Sequence, residues 1–170
     1  MKKLNIACEN IYKEKTSVNV TDIANKIFNF YMTCPDISEN CCTQGYNYKS
    51  ITFDFLLCNG EKTHEINREY RGKDYPADII TFAVFADSQE DERFVLDGDI
   101  NLGEIIIALD KIEESAKEKN ISKEDELIFF ISHGILHLLG FDHQTQDDYN
   151  FVIDFQKKAL ESVNIFYDKV

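Results

Sequence analysis

A chain of 170 residues has the length of one domain, and its 44% apolar content is enough for a real core. Two prolines and seven glycines argue against a long disordered tail. The formal net charge of −13, from 31 acidic and 18 basic residues, excludes a protein that coats nucleic acid without specificity, while leaving room for a small basic cleft on an acidic body.

The first residues begin basic but no apolar run follows, so no signal peptide is expected. No stretch approaches the ~20 apolar residues of a membrane span, and a soluble cytoplasmic protein with no membrane partner is the expectation. Thr21 is placed to cap a helix over 22–32, where Ile23, Ile27, Phe30 and Tyr31 recur at helical spacing. Pro35 helps stop it, and residues 35–48 read as a polar loop. The cysteines Cys8, Cys34, Cys41, Cys42 and Cys58 are odd in number and read as reduced thiols; the spacing of Cys34, Cys41 and Cys42 matches no common zinc pattern. A strand over 51–58 alternates Ile51, Phe53, Phe55 and Leu57 onto one face.

A short polar helix over 61–70, a β-rich run over 78–85, a solvated acidic loop over 86–93, an apolar strand over 102–109 and a charged helix over 110–119 follow. Ser122 and Asp125 resemble a capping box for a helix that runs to Leu139, where Gly140 can end it in a left-handed turn. Its 127–139 part is apolar nearly all round, which makes it the buried central helix. A last helix is expected over 147–163. The order of elements predicts an α+β fold: one compact domain over 1–170, with a small mixed β-sheet packed against helices.

Three of the four histidines fall within eleven residues, His133-Gly134-Ile135-Leu136-His137-Leu138-Leu139-Gly140-Phe141-Asp142-His143. His133 and His137 are four apart and therefore share one helix face, a turn apart. Gly140 lets the chain double back, so that His143 arrives from another direction. Three neutral nitrogens leave one tetrahedral position open, the arrangement of a catalytic rather than a closed zinc site. Unrelated polar residues are a poor alternative, because burying unpaired imidazoles beside Ile135, Leu136, Leu138 and Leu139 is costly. Imidazole also suits copper, iron and nickel, but hydrolysis needs a Lewis acid without redox chemistry, which favours one Zn²⁺ per chain. The same histidine spacing occurs in metzincin peptidases, which place a glutamate as general base directly after the first histidine. Here that position is Gly134, which argues against peptide hydrolysis more than against hydrolysis itself.

The His133–His143 segment resembles the H-G-x-L-H-L-x-G-[YF]-D-H signature of the YbeY family, the bacterial metallo-endoribonucleases of ribosomal RNA maturation. A second family block, L-N-x-x-Y-R-x-x-D-x-P-T-D-V-L-S-F-P, is matched by residues 66–83, with Ala77, Thr81 and Ala83 in place of the usual threonine, serine and proline. Leu102-Gly103-Glu104-Ile105 resembles a third, L-G-D-I. The resemblance is strongest over 60–143. It implies a zinc-dependent, single-strand-specific endoribonuclease acting in 3′-end maturation of small-subunit (16S) ribosomal RNA and in ribosome quality control. The implied partners are single-stranded ribosomal RNA, the small ribosomal subunit and its associated proteins. It also implies His133, His137 and His143 as ligands and Arg71 as a residue needed for activity.

Arg71 can clamp a phosphate bidentately, or simply pair with Glu69 or Asp74 as a surface arginine. Lys73 is a further candidate for a phosphate contact. Asp142 is expected to orient an imidazole, with a role as base or turn cap as alternatives. His64 reads as a solvated residue rather than a fourth ligand. No general acid for the leaving 5′-oxygen stands out, and attack by water or by the RNA 2′-hydroxyl both remain open. The rival functions are a metallopeptidase or amidase, and a non-catalytic module in which zinc is structural and the protein binds the ribosome.

Overall fold

A computed structural model describes residues 2–166. It contains strands β1 (Lys3–Asn10), β2 (Ser50–Cys58), β3 (Ile79–Phe82) and β4 (Asp99–Ala108), and helices α1 (Val20–Thr33), α2 (Pro35–Ser38), α3 (Gly60–Arg71), α4 (Leu109–Lys119), α5 (Lys123–Leu138) and α6 (Gln146–Glu161). The strands form one mixed sheet in the order β1-β2-β4-β3; β1, β2 and β4 run parallel and β3 is antiparallel to β4. The expected α+β architecture is therefore present.

The alternation of side chains along β4 divides the interior. Leu102, Ile105 and Ile107 join Phe53, Phe55 and Leu57 of β2 in the main core, beneath α1, α5 and α6. Ile106 points to the other face, where Cys58, Ile80 and Ile66 of α3 form a smaller cluster. Helix α5 packs on β3 and β4 and also touches α1, α4 and α6, so it is the central helix. Ten of its residues are buried, as the apolar run over 127–139 leads one to expect.

Several local expectations need correction. Strand β1 was not anticipated: it is an edge strand on which only Leu4, Asn5 and Ile6 are even half-buried, so its hydrophobic alternation is weak. Helix α1 is capped by Asn19, whose side chain accepts from the Asp22 N–H, whereas Thr21 lies inside the first turn and donates to Asn19 Oδ1. Pro35 starts the short helix α2 instead of merely ending α1. The run over 78–85 forms a strand only over Ile79–Phe82, and β4 begins three residues earlier than expected, at Asp99. Helix α6 ends at Glu161 and begins with a full capping box between Thr145 and Asp148; at Ser122 only the forward bond to the Asp125 N–H is made.

Gly103 shows why the third sequence block needs glycine. The β2–β4 register slips between Thr52 and Phe53, so β4 carries one extra residue there. Gly103 takes φ +129°, and a Cβ on it would stand 1.8 Å from the Phe82 carbonyl oxygen. Only a residue without a side chain lets β3 approach β4 at this point.

Candidate metal centre

Helix α5 carries His133 and His137, both half-buried, one turn apart. Gly134, on the sheet side, is buried, and a Cβ there would meet three Ile105 side-chain atoms, Cδ1 at 2.8 Å, Cγ2 at 2.9 Å and Cγ1 at 3.1 Å. The position that zinc peptidases fill with a glutamate is thus pressed against the sheet core. From α1, the buried Tyr31 hydroxyl donates to the Ser132 carbonyl at 3.1 Å and pins the helix beside His133. Burial, in the first place, holds that phenol well above its ordinary range, so it stays a donor.

The C-terminal end of α5 is a Schellman turn. Gly140, at φ +99°, bonds from its N–H to the His137 carbonyl, and the Phe141 N–H reaches the Leu136 carbonyl. The remaining carbonyls are satisfied by the preceding loop: the Cys42 N–H donates to Leu139 at 2.9 Å and the Cys42 thiol to Leu138 at 3.4 Å. Burial raises that thiol to about 12, so Cys42 serves as a neutral cap. Among the described residues, the groups of His, Cys, Asp or Glu able to hold a metal include no cysteine. Beyond the turn, Phe141 stacks on Phe151 of α6 with ring centroids 5.4 Å apart. That contact carries the chain back over the helix end and delivers His143.

The result is convergence. The imidazole centroids of His133 and His137 are 4.5 Å apart, and His143 is 5.5 and 5.4 Å from them. One nitrogen from each ring lies within 4.8 Å of the others, a group that can hold a metal ion. His133 and His137 are half-buried and His143 is exposed, so the cluster opens to the surface on the His143 side. Burial first, then His137 and His143, press His133 down to about 4, against the opposing hydrogen bond that it makes to Gln156. Burial and His143 bring His137 to about 4 as well. Both rings are therefore neutral near pH 7, the state in which an imidazole can bind a metal. The donor set fits zinc: three neutral nitrogens on a rigid helix end and its turn.

A pH dependence follows for the metal-free protein. An unfolded histidine titrates near ~6.5, whereas these two titrate near 4 when folded. The unfolded chain takes up protons first as pH falls, so the stability present above about 6.5 is lost progressively toward pH 4. Urea midpoints measured across that window in the presence of a chelator should fall. A constant midpoint would mean that the two rings are as solvated as in the unfolded chain.

The other residues singled out in the sequence make different contacts. Arg71 ends α3 and is exposed; its Nη1 donates to Asn67 Oδ1 at 3.2 Å and to no residue of the histidine cluster. Asn67 is fully buried, and its Nδ2 also holds the Tyr75 carbonyl at 2.8 Å. Gly72 takes φ +63°, and the Lys73 N–H returns to the Asn67 carbonyl. The Arg71-Gly72-Lys73 turn is thus built on one buried asparagine, which the sequence pattern marked only as part of the second block. His64 Nε2 lies 2.8 Å from Asp74 Oδ1, as a surface pair and not as a ligand. Asp142 is exposed and its carboxylate accepts from Gln144 Nε2 at 2.9 Å. Gln156 of α6 faces an imidazole, with Oε1 3.4 Å from His133 Nδ1, and the Tyr149 ring lies edge-on to His143 at 6.2 Å between centroids. Gln156 went unnoticed in the sequence; its only signal there is a polar residue on the stripe formed by Val152, Phe155 and Ala159.

Fold and site together define an α+β domain with a three-imidazole centre able to accept one metal ion. The profile described as Endoribonuclease YbeY matches residues 6–164, and the chain belongs to that family. The endoribonuclease YbeY of Fusobacterium nucleatum is 39% identical over 137 residues, covering 77% of this chain and 82% of that protein. That of Geobacillus sp. (strain WCH70) is 45% identical over 105 residues, covering 61% of this chain and 67% of the relative. The solution structure of TM1509 from Thermotoga maritima is similar at a TM-score of 0.56 and 26% identity, over 94% of this chain and 88% of that one.

Proposed function

We propose that this chain is a zinc-dependent endoribonuclease specific for single strands, acting in the cytoplasm on the 3′ end of small-subunit ribosomal RNA and in ribosome quality control. Its partners are then ribosomal RNA, the small subunit and its associated proteins. The observation that carries the reading is the convergence of His133, His137 and His143 within 4.8 Å, in a chain whose relatives are named endoribonuclease YbeY.

When bound, zinc supplies a Lewis acid that acidifies water and draws charge from a phosphoryl oxygen. The chain's own residues supply the rest. The imidazoles hold their donors neutral and fixed. Arg71 uses Nη1 on Asn67, which steers a guanidinium with four further N–H donors outward, toward the charge of a phosphodiester. Lys73, two residues on, adds a point charge beside the same backbone. Gly134 offers no carboxylate to take a proton from water and pass it to an amine, so a peptidase reading lacks its base.

The test is a time course with zinc-loaded protein on labelled single-stranded RNA, duplex RNA and a mixed peptide library, with His133→Ala alongside. Single strands should be cut, duplex poorly, and peptides left intact. Cleavage persisting in the His133→Ala preparation would indicate a contaminating nuclease, and metal-dependent peptide cleavage with RNA untouched would favour the peptidase. Arg71→Ala should keep the metal and the fold but lose roughly 100-fold or more in RNA cleavage, the size of effect seen when one preorganised transition-state donor is removed. Arg71→Lys should recover only part, because an ammonium offers no planar fork. Parental cleavage by the alanine variant would reduce Arg71 to a surface residue.

A further inference from the structure

Gln156 is 0% exposed among apolar neighbours. A primary amide carries two donor and two acceptor sites, so burying one costs free energy unless specific partners receive it. Its two partners here both belong to α5. Nε2 lies 3.4 Å from the Phe129 carbonyl oxygen, and Oε1 lies 3.4 Å from His133 Nδ1.

These two contacts determine one another. The Phe129 carbonyl can only accept, so the end of the amide facing it must be the NH₂ group. The end facing His133 is then the oxygen, which can only accept. His133 Nδ1 must therefore carry the proton, and in the neutral ring Nε2 is left with its lone pair. Phe129 lies one helical turn before His133, so the amide also braces the ring against its own helix. Without it, a half-buried neutral imidazole is free to place its proton on either nitrogen and to turn about its side-chain torsions.

We propose that Gln156 is a positioning residue of the metal centre: its amide, oriented by the Phe129 carbonyl, holds His133 in the Nδ1–H tautomer and presents Nε2 to the metal. The proposal rests on the metal reading given above. Groups that orient metal-bound histidines in this way contribute roughly 10–100-fold to metal affinity. A merely structural glutamine would contribute to packing and leave the tautomer unchanged.

Proton–nitrogen correlation spectra of the metal-free protein near neutral pH test the tautomer directly. The parent should show His133 with Nδ1 protonated and Nε2 bare. Gln156→Leu keeps the packing volume but removes donor and acceptor. It should shift His133 toward the Nε2–H form and weaken zinc binding roughly 10–100-fold in a chelator competition, with an unchanged far-ultraviolet spectrum. Gln156→Glu, protonated in this buried site, should restore the Nδ1–H tautomer and most of the affinity, because its acid proton can go to the Phe129 carbonyl while the other oxygen accepts from Nδ1. In the parent the Phe129 carbonyl also accepts from the Ser132 hydroxyl at 2.6 Å, so the leucine variant does not leave it without a donor. A parent spectrum with Nε2 protonated overturns the proposal, and so does a leucine variant with parental tautomer and affinity. Should the leucine variant fail to fold, loss of the Nδ1–H form in the glutamate variant overturns it equally. Failure of the parent to bind zinc would sink the metal reading while leaving the tautomer assignment standing.

Discussion

His137→Ala should abolish stoichiometric zinc binding and, with it, RNA cleavage. The ring is one corner of the cluster, 4.5 Å from His133 and 5.4 Å from His143, so its removal leaves two donors that no longer surround one point. Apparent zinc affinities of about 10–16 kcal/mol in four-ligand sites correspond to about 3 kcal/mol per ligand, hence a loss of ~100-fold or more. The thermodynamic readout is as clear as the enzymatic one. Zinc at ~1,000 times its dissociation constant stabilises a native state by about 4 kcal/mol, and the variant should show no zinc-dependent rise in melting temperature. Elemental analysis of the purified variant is the decisive measurement: undiminished zinc would mean that the three histidines are not the ligands.

Gly134→Glu, which writes the peptidase base into the helix, should unfold or severely destabilise the protein rather than create a peptidase. The new Cβ would stand under 3.0 Å from two atoms of Ile105, whose side chain is itself 0% exposed at the centre of β4. Overpacking of that kind costs about 1–3 kcal/mol, and burying a carboxylate without a partner adds several more. A total near or above ~4 kcal/mol is a large share of the ~5–15 kcal/mol by which a domain is stable. Gly134→Ala separates the two contributions: the overpacking remains, while the helix gains about 1 kcal/mol of propensity. Urea unfolding of both variants checks the argument. A folded glutamate variant with the parental midpoint, or one that hydrolyses peptides, would show that α5 can lift off the sheet and that glycine is not imposed by packing.

Much of the candidate site was legible from residue spacing because its geometry is local. Two histidines four apart on an apolar helix share a face in any fold, and a glycine three residues later ends that helix wherever it lies. The central helix was legible for a related reason, since a helix apolar on nearly all sides has nowhere to go but the interior. The edge strand β1 was not, because half of its pairing is with solvent and its side chains carry little burial pattern. Nor was the use of residues 35–48, where Cys42 closes the carbonyl end of α5, since a bond from residue 42 to residue 139 leaves no local trace.

The sequence by itself determined that His133, His137 and His143 could gather, the α+β class and the missing base at position 134, because each depends on short-range spacing or on residue type. Tertiary structure alone decided the rest. It set Gln156 rather than Asp142 against His133, seated Arg71 on the buried Asn67, and made position 134 a glycine by pressing α5 onto Ile105. Each of these is a contact between elements distant in the chain or a question of which way a side chain faces. Such contacts are settled by how helices and sheet pack against one another, and packing is a property of the whole interior that no short stretch of residues contains.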